Sequence, residues 1–189
     1  MDAKDISYND YMLRIGRESI PCYEPSIGED ELSNLTDVIK RGWLSESKYT
    51  REFEDRLAVI SDRKFSLAFS NATSALIVGM KCLGIGQGDD VITPSFTHCA
   101  DPNSISATGA NPVFAEVDLE TLCLSVETIK ESITPNTKAV LYVALYGNCG
   151  DLDSVSQYCK EHNLFLIVDS AAALGSVFKA KPISSYGDF

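Results

Sequence analysis

The stretch Leu164-Phe165-Leu166-Ile167-Val168-Asp169-Ser170-Ala171-Ala172-Ala173-Leu174-Gly175 decides how this chain folds. Five apolar residues run without interruption into Asp169. Such a run predicts a strand buried on both faces, as in a parallel sheet. Asp169 then falls at the strand's C-terminal end, the edge at which open α/β sheets gather their ligands. The small residues after it leave room for something flat and cationic to approach the carboxylate. Capping the next turn is the commoner use of an Asp in such a place. The rest of the chain decides between the two uses.

Working outward, strands and helices alternate. Glu29 to Arg41 reads as a helix, with Leu32, Leu35, Val38 and Ile39 on one face and acids in its first turn. Gly42 ends it, and Trp43 to Lys48 is a polar loop. Arg51 to Ile60 reads as a second helix with Phe53, Leu57 and Ile60 inward. Phe65 to Phe69 is expected as a short strand, Ser70 to Ser74 as a turn, and Ala75 to Leu83 as an apolar helix. Then follow a strand over Val91 to Pro94, a helix over Ala100 to Thr108, and a strand over Val113 to Val117. A helix over Ser125 to Ile133, a strand over Lys138 to Leu145 and a helix over Asp151 to His162 lead to the strand that ends at Asp169. This order predicts an α/β fold, a mainly parallel sheet with helices on both faces. Residues 1–19 are expected as a polar leader, 20–60 as an N-terminal helical segment, and 61–189 as the sheet domain.

Composition narrows the function. The net charge of −11 opposes nucleic-acid binding driven by phosphate neutralisation. A few backbone N–H groups still bind a small phosphate inside an acidic protein. The apolar runs are too short for a membrane span, and the polar, acidic start of the chain does not read as a secretory signal. Six scattered cysteines form no C-x-x-C pair, and with no export signal they read as reduced thiols in the cytoplasm. The chain has two histidines, His98 and His162, so a histidine-rich metal site and a Ser-His-Asp set are both disfavoured.

Four segments could carry chemistry. Ser70-Asn71-Ala72-Thr73-Ser74 passes from a strand into a helix, where the N–H groups of Thr73 and Ser74 and the Thr73 hydroxyl would converge on a phosphate. Simple N-capping is the commoner reading there. Gly84-Ile85-Gly86-Gln87-Gly88 imitates a nucleotide loop but lies between a helix and a strand, the reverse of the required order, and reads as a turn. Pro94 to Cys99 brings Phe96 and His98 to the sheet edge of Asp169. Phe96 is expected in the core, while His98 is open to stacking on a planar ligand or to a plain loop role. Ala144 to Asn148 follows a strand, and its Tyr146 either shapes a pocket or packs.

Together these segments resemble the N-terminal part of the DegT/StrS-type sugar aminotransferases, pyridoxal-phosphate enzymes of the aspartate-aminotransferase fold. The resemblance runs from Ile20 to Phe189. It takes in Gly42-Trp43-Leu44-Ser45, Ser70-Asn71-Ala72-Thr73, the segment from Gly86 to Thr97, Leu145-Tyr146-Gly147 and Val168-Asp169. It implies the large domain of a fold-type-I pyridoxal-phosphate transferase, a nucleotide-linked keto sugar as substrate, glutamate as amino donor and a homodimer. By the same resemblance, Asp169 pairs with the pyridine nitrogen, Thr73 and Ser74 hold the cofactor phosphate, and His98 stacks on the ring. The loop from Trp43 to Lys48 matches a segment near the substrate and the dimer partner.

Some positions depart from the family pattern. His98 stands where an aromatic ring is usual, Ala172 where Gln or His contacts the ring hydroxyl, and Ala144 where His is frequent. The family's aldimine lysine follows the Gly-Asp-Phe segment, which here is Gly187-Asp188-Phe189. The expectation is therefore an incomplete large domain, with no catalytic lysine and no C-terminal small domain. Two alternatives stay open: a family dehydratase with histidine in place of the lysine, or a non-catalytic remnant or binding protein.

Overall fold

The computed structural model describes residues 25–189. The expected leader over 1–19 lies outside them, as does Cys22. The chain divides into two units, residues 1–45 and 46–189.

In the first unit, helix α1 spans Glu29–Arg41 as the sequence predicts. Glu31 accepts a hydrogen bond from the Gly28 N–H at 2.7 Å, and acids fill the first turn while Lys40 and Arg41 close the last. Both charge placements suit the helix dipole. Its apolar stripe of Leu32, Leu35 and Ile39 is exposed.

The second unit opens with α2, Lys48–Ile60, and α3, Ala72–Cys82. Then come β1 (Asp90–Pro94), α4 (Ala100–Thr108), β2 (Asn111–Ala115) and α5 (Val126–Ser132). The chain continues with β3 (Thr137–Val143), a short 3-10 turn over Leu145–Gly147, α6 (Leu152–Glu161) and β4 (Phe165–Asp169). A two-stranded hairpin follows, β5 (Val177–Phe178) against β6 (Lys181–Pro182). The main sheet is parallel in the order β2-β1-β3-β4.

The two-residue period of the strands builds two cores. Val91 of β1, Ala139, Leu141 and Val143 of β3, and Ile167 of β4 face one side, where they pack with Leu76 and Met80 of α3 and Ile105 of α4. Ile92, Val140, Tyr142 and Leu166 face the other side, with Ile129 of α5 and Leu152, Val155 and Cys159 of α6. Helices thus cover both faces, as the apolar run into Asp169 implies. Each fully buried large side chain contributes about 1.5–3 kcal/mol relative to exposure. Tyr142 adds a hydrogen bond from its hydroxyl to the Cys149 carbonyl at 2.6 Å, and burial pushes its phenol well above its ordinary pKa.

Four expectations need correction. Phe65–Phe69 is not a strand: no described strand pairs with it, and Phe65 and Leu67 are exposed. A strand exists only through its ladder partner, so β propensity alone does not form one. The segment is tied instead by Glu54, which accepts from the Ala68 N–H at 2.8 Å. Phe53 and Ile60 do not face inward and are about half exposed. The strand expected over Val113–Val117 runs from Asn111 to Ala115. Pro112 is tolerated there because β2 is an edge strand paired only to β1. Phe96 is also not a core residue, being 47% exposed.

Residues 187–189 fasten to β4. Asp188 N–H donates to the Leu166 carbonyl at 2.6 Å, Val168 N–H to the Phe189 carbonyl at 3.1 Å, and Leu166 N–H to the Asp188 carboxylate at 2.8 Å. Two glycines allow this approach. A Cβ on Gly187 would lie 2.9 Å from the Leu166 carbonyl oxygen, and one on Gly79 would lie 2.3 Å from the Phe189 ring. Arg63 holds the same segment from outside, donating to the Ser184 carbonyl at 2.9 and 3.1 Å and to the Gly187 carbonyl. Arg63→Ala should cost about 2 kcal/mol, as charged hydrogen bonds do. Amide exchange should speed up over residues 184–189 and hold steady in β1 and β3. Equal exchange in both proteins would show that the clamp contributes nothing.

Candidate active site

The functional edge is set by topology. Parallel strands all end on one side, and the helix preceding a strand runs back against it. The C-terminus of β4, the C-terminus of β1 and the N-terminus of α3 therefore meet at the same edge of the sheet. Asp169 sits at that edge, half-buried, paired in register with Val143. Its Oδ1 accepts from the Ala171 N–H at 2.8 Å, and its carbonyl accepts from the Ala144 N–H at 3.0 Å. The capping role and the ligand-facing role thus coexist in one residue: one oxygen organises the Ser-Ala-Ala turn.

The α3 N-terminus starts earlier than the sequence reading has it. Asn71 is the cap, and its side-chain oxygen accepts from the Ser74 N–H at 2.8 Å. The Ser74 N–H is therefore not free, a correction to the expected phosphate cradle. The N–H groups of Ala72 and Thr73 remain in the first turn, where a helix has no acceptors of its own. Thr73 and Ser74 are both half-buried there.

His98 lies in the loop between β1 and α4 and is exposed. Its Nδ1 accepts from the Ala100 N–H at 3.1 Å, which leaves the proton on Nε2 and fixes the ring against its own loop. Tyr146 stands in the turn after β3 with a positive φ of 54° and is 71% exposed. It does not pack, and backbone held in that region is strained for a non-glycine residue. Ala144 is fully buried, a core residue and not a site residue. The glycine segment Gly84–Gly88 is the turn it was expected to be. It lies at the opposite edge, where Asp89 accepts from Gly86 N–H at 2.9 Å and pairs with Lys138 at 3.2 Å.

Sequence reading missed Asp101. It lies in the first turn of α4 and is fully buried, on the helix face shared by Ser104, Ile105 and Thr108. The spacing i, i+3, i+4, i+7 marks that face as inward, and an acid on it was the available signal. The Thr97 hydroxyl donates to its Oδ2. The Asp169 carboxyl is near enough to act on it through charge and hydrogen bonding. Burial pushes Asp101 up to about 7, the Asp169 charge pushes the same way, and the Thr97 hydrogen bond works against both.

A carboxylate at the end of a parallel strand and a helix N-terminus thus share the edge at which open α/β sheets gather ligands, and the helix N-terminus suits an anion. The model of the DegT/DnrJ/EryC1/StrS aminotransferase family matches residues 25–189, and the chain belongs to that family. GDP-perosamine synthase of Vibrio cholerae is 44% identical over 170 residues, which is 89% of this chain and 46% of that protein. The spore coat polysaccharide biosynthesis protein SpsC of Bacillus subtilis strain 168 is 36% identical over 177 residues, 94% of this chain and 46% of SpsC. Among solved structures, the PLP-form of Spr1654 from Streptococcus pneumoniae superposes with a TM-score of 0.82 at 30% identity, covering 89% of this chain and 47% of that one. The chain spans about half the length of the curated relatives it matches.

The cofactor of the family is pyridoxal phosphate. The residues present fit it. Asp169 offers an anion to a ring nitrogen, the first turn of α3 offers N–H groups and the Thr73 hydroxyl to a phosphate, and the exposed His98 ring stands at the same edge. Among the described residues, the buried Thr93 Oγ1 and Asp101 Oδ1 have no hydrogen-bond partner. No described helix is long and apolar enough to cross a membrane.

Proposed function

We propose that the chain is the cofactor-holding part of an aminotransferase that acts on a nucleotide-linked keto sugar. The observation that carries this reading is Asp169, an acid at the C-terminal end of a parallel strand, level with a capped but open helix N-terminus. The bound pyridoxal phosphate supplies an electron-withdrawing ring. The Asp169 carboxylate holds a proton on the ring nitrogen, which keeps that ring cationic. Ala72 and Thr73 would donate their N–H groups, and Thr73 its hydroxyl, to the cofactor phosphate at the positive end of α3. Ser74 contributes by holding the Asn71 cap that shapes this turn. The His98 ring, held in its loop by the Ala100 N–H, would stack on the cofactor ring.

The nucleotide-sugar substrate is supported by the likeness to GDP-perosamine synthase, and a role in polysaccharide building by the likeness to SpsC. Glutamate as amino donor, a homodimer and a cytoplasmic location complete the proposal.

The test has two arms. The purified chain should bind pyridoxal phosphate saturably, by absorbance titration, and lose that binding at least tenfold in Asp169→Ala. The whole protein from its native source should transfer an amino group from glutamate to a nucleotide-linked keto sugar. Non-saturable binding together with no transfer would overturn the reading.

A further inference from the structure

Asp101 reaches the Asp169 site from another element. It is carried by α4, which follows β1, whereas Asp169 ends β4, and β3 lies between these two strands. The Asp101 side chain has no exposed surface. Its Oδ2 is occupied by the Thr97 hydroxyl, and its Oδ1 has no donor although it is buried. Two ionised carboxylates cannot hydrogen-bond to each other, so an anionic Asp101 leaves Oδ1 unpaired beside a second negative charge. A proton on Asp101 resolves both difficulties. The carboxyl then has an acceptor in Asp169, and the pair carries one negative charge instead of two.

We propose that Asp101 is a positioning residue of the Asp169 site: it carries the one proton that the two carboxyl groups share, donates it in a hydrogen bond to Asp169, and so fixes the orientation and the single charge of the carboxylate presented to the ligand. Two fixed points then hold Asp169, the Ala171 N–H on Oδ1 and the Asp101 carboxyl beside it. A carboxylate held from two sides costs less ordering when a cationic ring arrives. Electrostatics favour the same arrangement, since burial and the Asp169 charge lift Asp101 to about 7. Among the described residues, the groups acting on it are the Thr97 hydroxyl and the Asp169 carboxylate. The elements packed on α4 face the shared core through Leu76 and Met80 of α3, Val91 of β1 and the neighbouring Ala110, none of which titrates. The ligand's identity rests on the proposed function, but the shared proton does not.

Carbon-13 NMR of the cofactor-free chain, labelled at the Asp side-chain carboxyl carbons, tests the proposal. One Asp resonance should titrate near neutral pH and vanish in Asp101→Asn. Its midpoint should fall in Asp169→Asn, which removes the like charge. Absence of any Asp titrating above the ordinary carboxylate range, or a midpoint unmoved by Asp169→Asn, overturns the shared proton. Asp169→Asn changes a half-exposed residue, so this arm decides even where Asp101→Asn does not fold. Pyridoxal phosphate affinity gives the positioning readout. Asp101→Asn, whose amide still donates, should keep the Kd within about threefold, and Asp101→Leu should weaken it about tenfold, the loss of one hydrogen bond. A Leu variant that binds like the wild type refutes positioning. If the wild type itself does not bind the cofactor, the proposed function fails, and the carbon-13 titration still decides the shared proton.

Discussion

Asp169→Asn should cut amino transfer by the whole protein on the order of a thousandfold, the scale of losing one preorganised charge-stabilising group in an active site. The substitution is nearly isosteric. Its side-chain oxygen still accepts from the Ala171 N–H, so the turn after β4 survives. What disappears is the negative charge. A neutral amide can hydrogen-bond a ring nitrogen, but it does not hold a proton there against a neutral solution. The cofactor should therefore still bind, through the α3 N-terminus and the stacking residue, with its chemistry disabled. The measurement is kcat for amino transfer, set beside the thermal melt and the cofactor Kd. A kcat within tenfold of the wild type, with an unchanged melt, would remove Asp169 from the chemistry.

Why Asp169 was legible and Asp101 was not follows from how each signal is written. The strand before Asp169 is a continuous apolar run, and its register on β3 puts Leu166 and Ile167 on opposite cores. Local sequence is enough to find such a strand and its end. The boundaries of α1 and α4 were equally local, because a glycine closes each one. Phe65–Phe69 failed for the opposite reason. Its composition favours a strand, but no described strand lies beside it, and propensity cannot supply a partner. The expectation of a free Ser74 N–H failed through a neighbour: Asn71 caps the helix and takes that N–H. Asp101 required knowing that α4 packs against the face of β1, β3 and β4 on which Asp169 lies. The helical period showed which face of α4 is inward, but not that a second carboxyl would meet it there.

The proton on Asp101 makes a further prediction, about stability. In the unfolded chain this carboxyl takes the ordinary value of 3.8, and in the folded protein burial raises it to about 7. Between those values the native state holds a proton that the unfolded chain has released. Stability therefore falls as pH rises from about 4 to about 7, and above 7 the protein carries the full cost of a buried anion facing Asp169. At about 1.36 kcal/mol per unit, that gap is on the order of 4 kcal/mol. Asp101→Asn mimics the protonated state, with its oxygen accepting from Thr97 and its NH₂ donating to Asp169, and it does not titrate. The variant should match the wild type near pH 4 and exceed it by on the order of 4 kcal/mol near pH 8.5. Other groups tilt the profile the opposite way. Asp118, held low by the Thr121 N–H and hydroxyl, and Asp153, held low by Lys179, contribute stability that is lost as pH falls. They act equally in both proteins, so the difference between the two curves isolates Asp101. Urea unfolding of both proteins from pH 4 to 8.5 is the measurement. Parallel curves would mean that Asp101 is ionised in the folded state at neutral pH, and the paired-carboxyl picture would fall with that result.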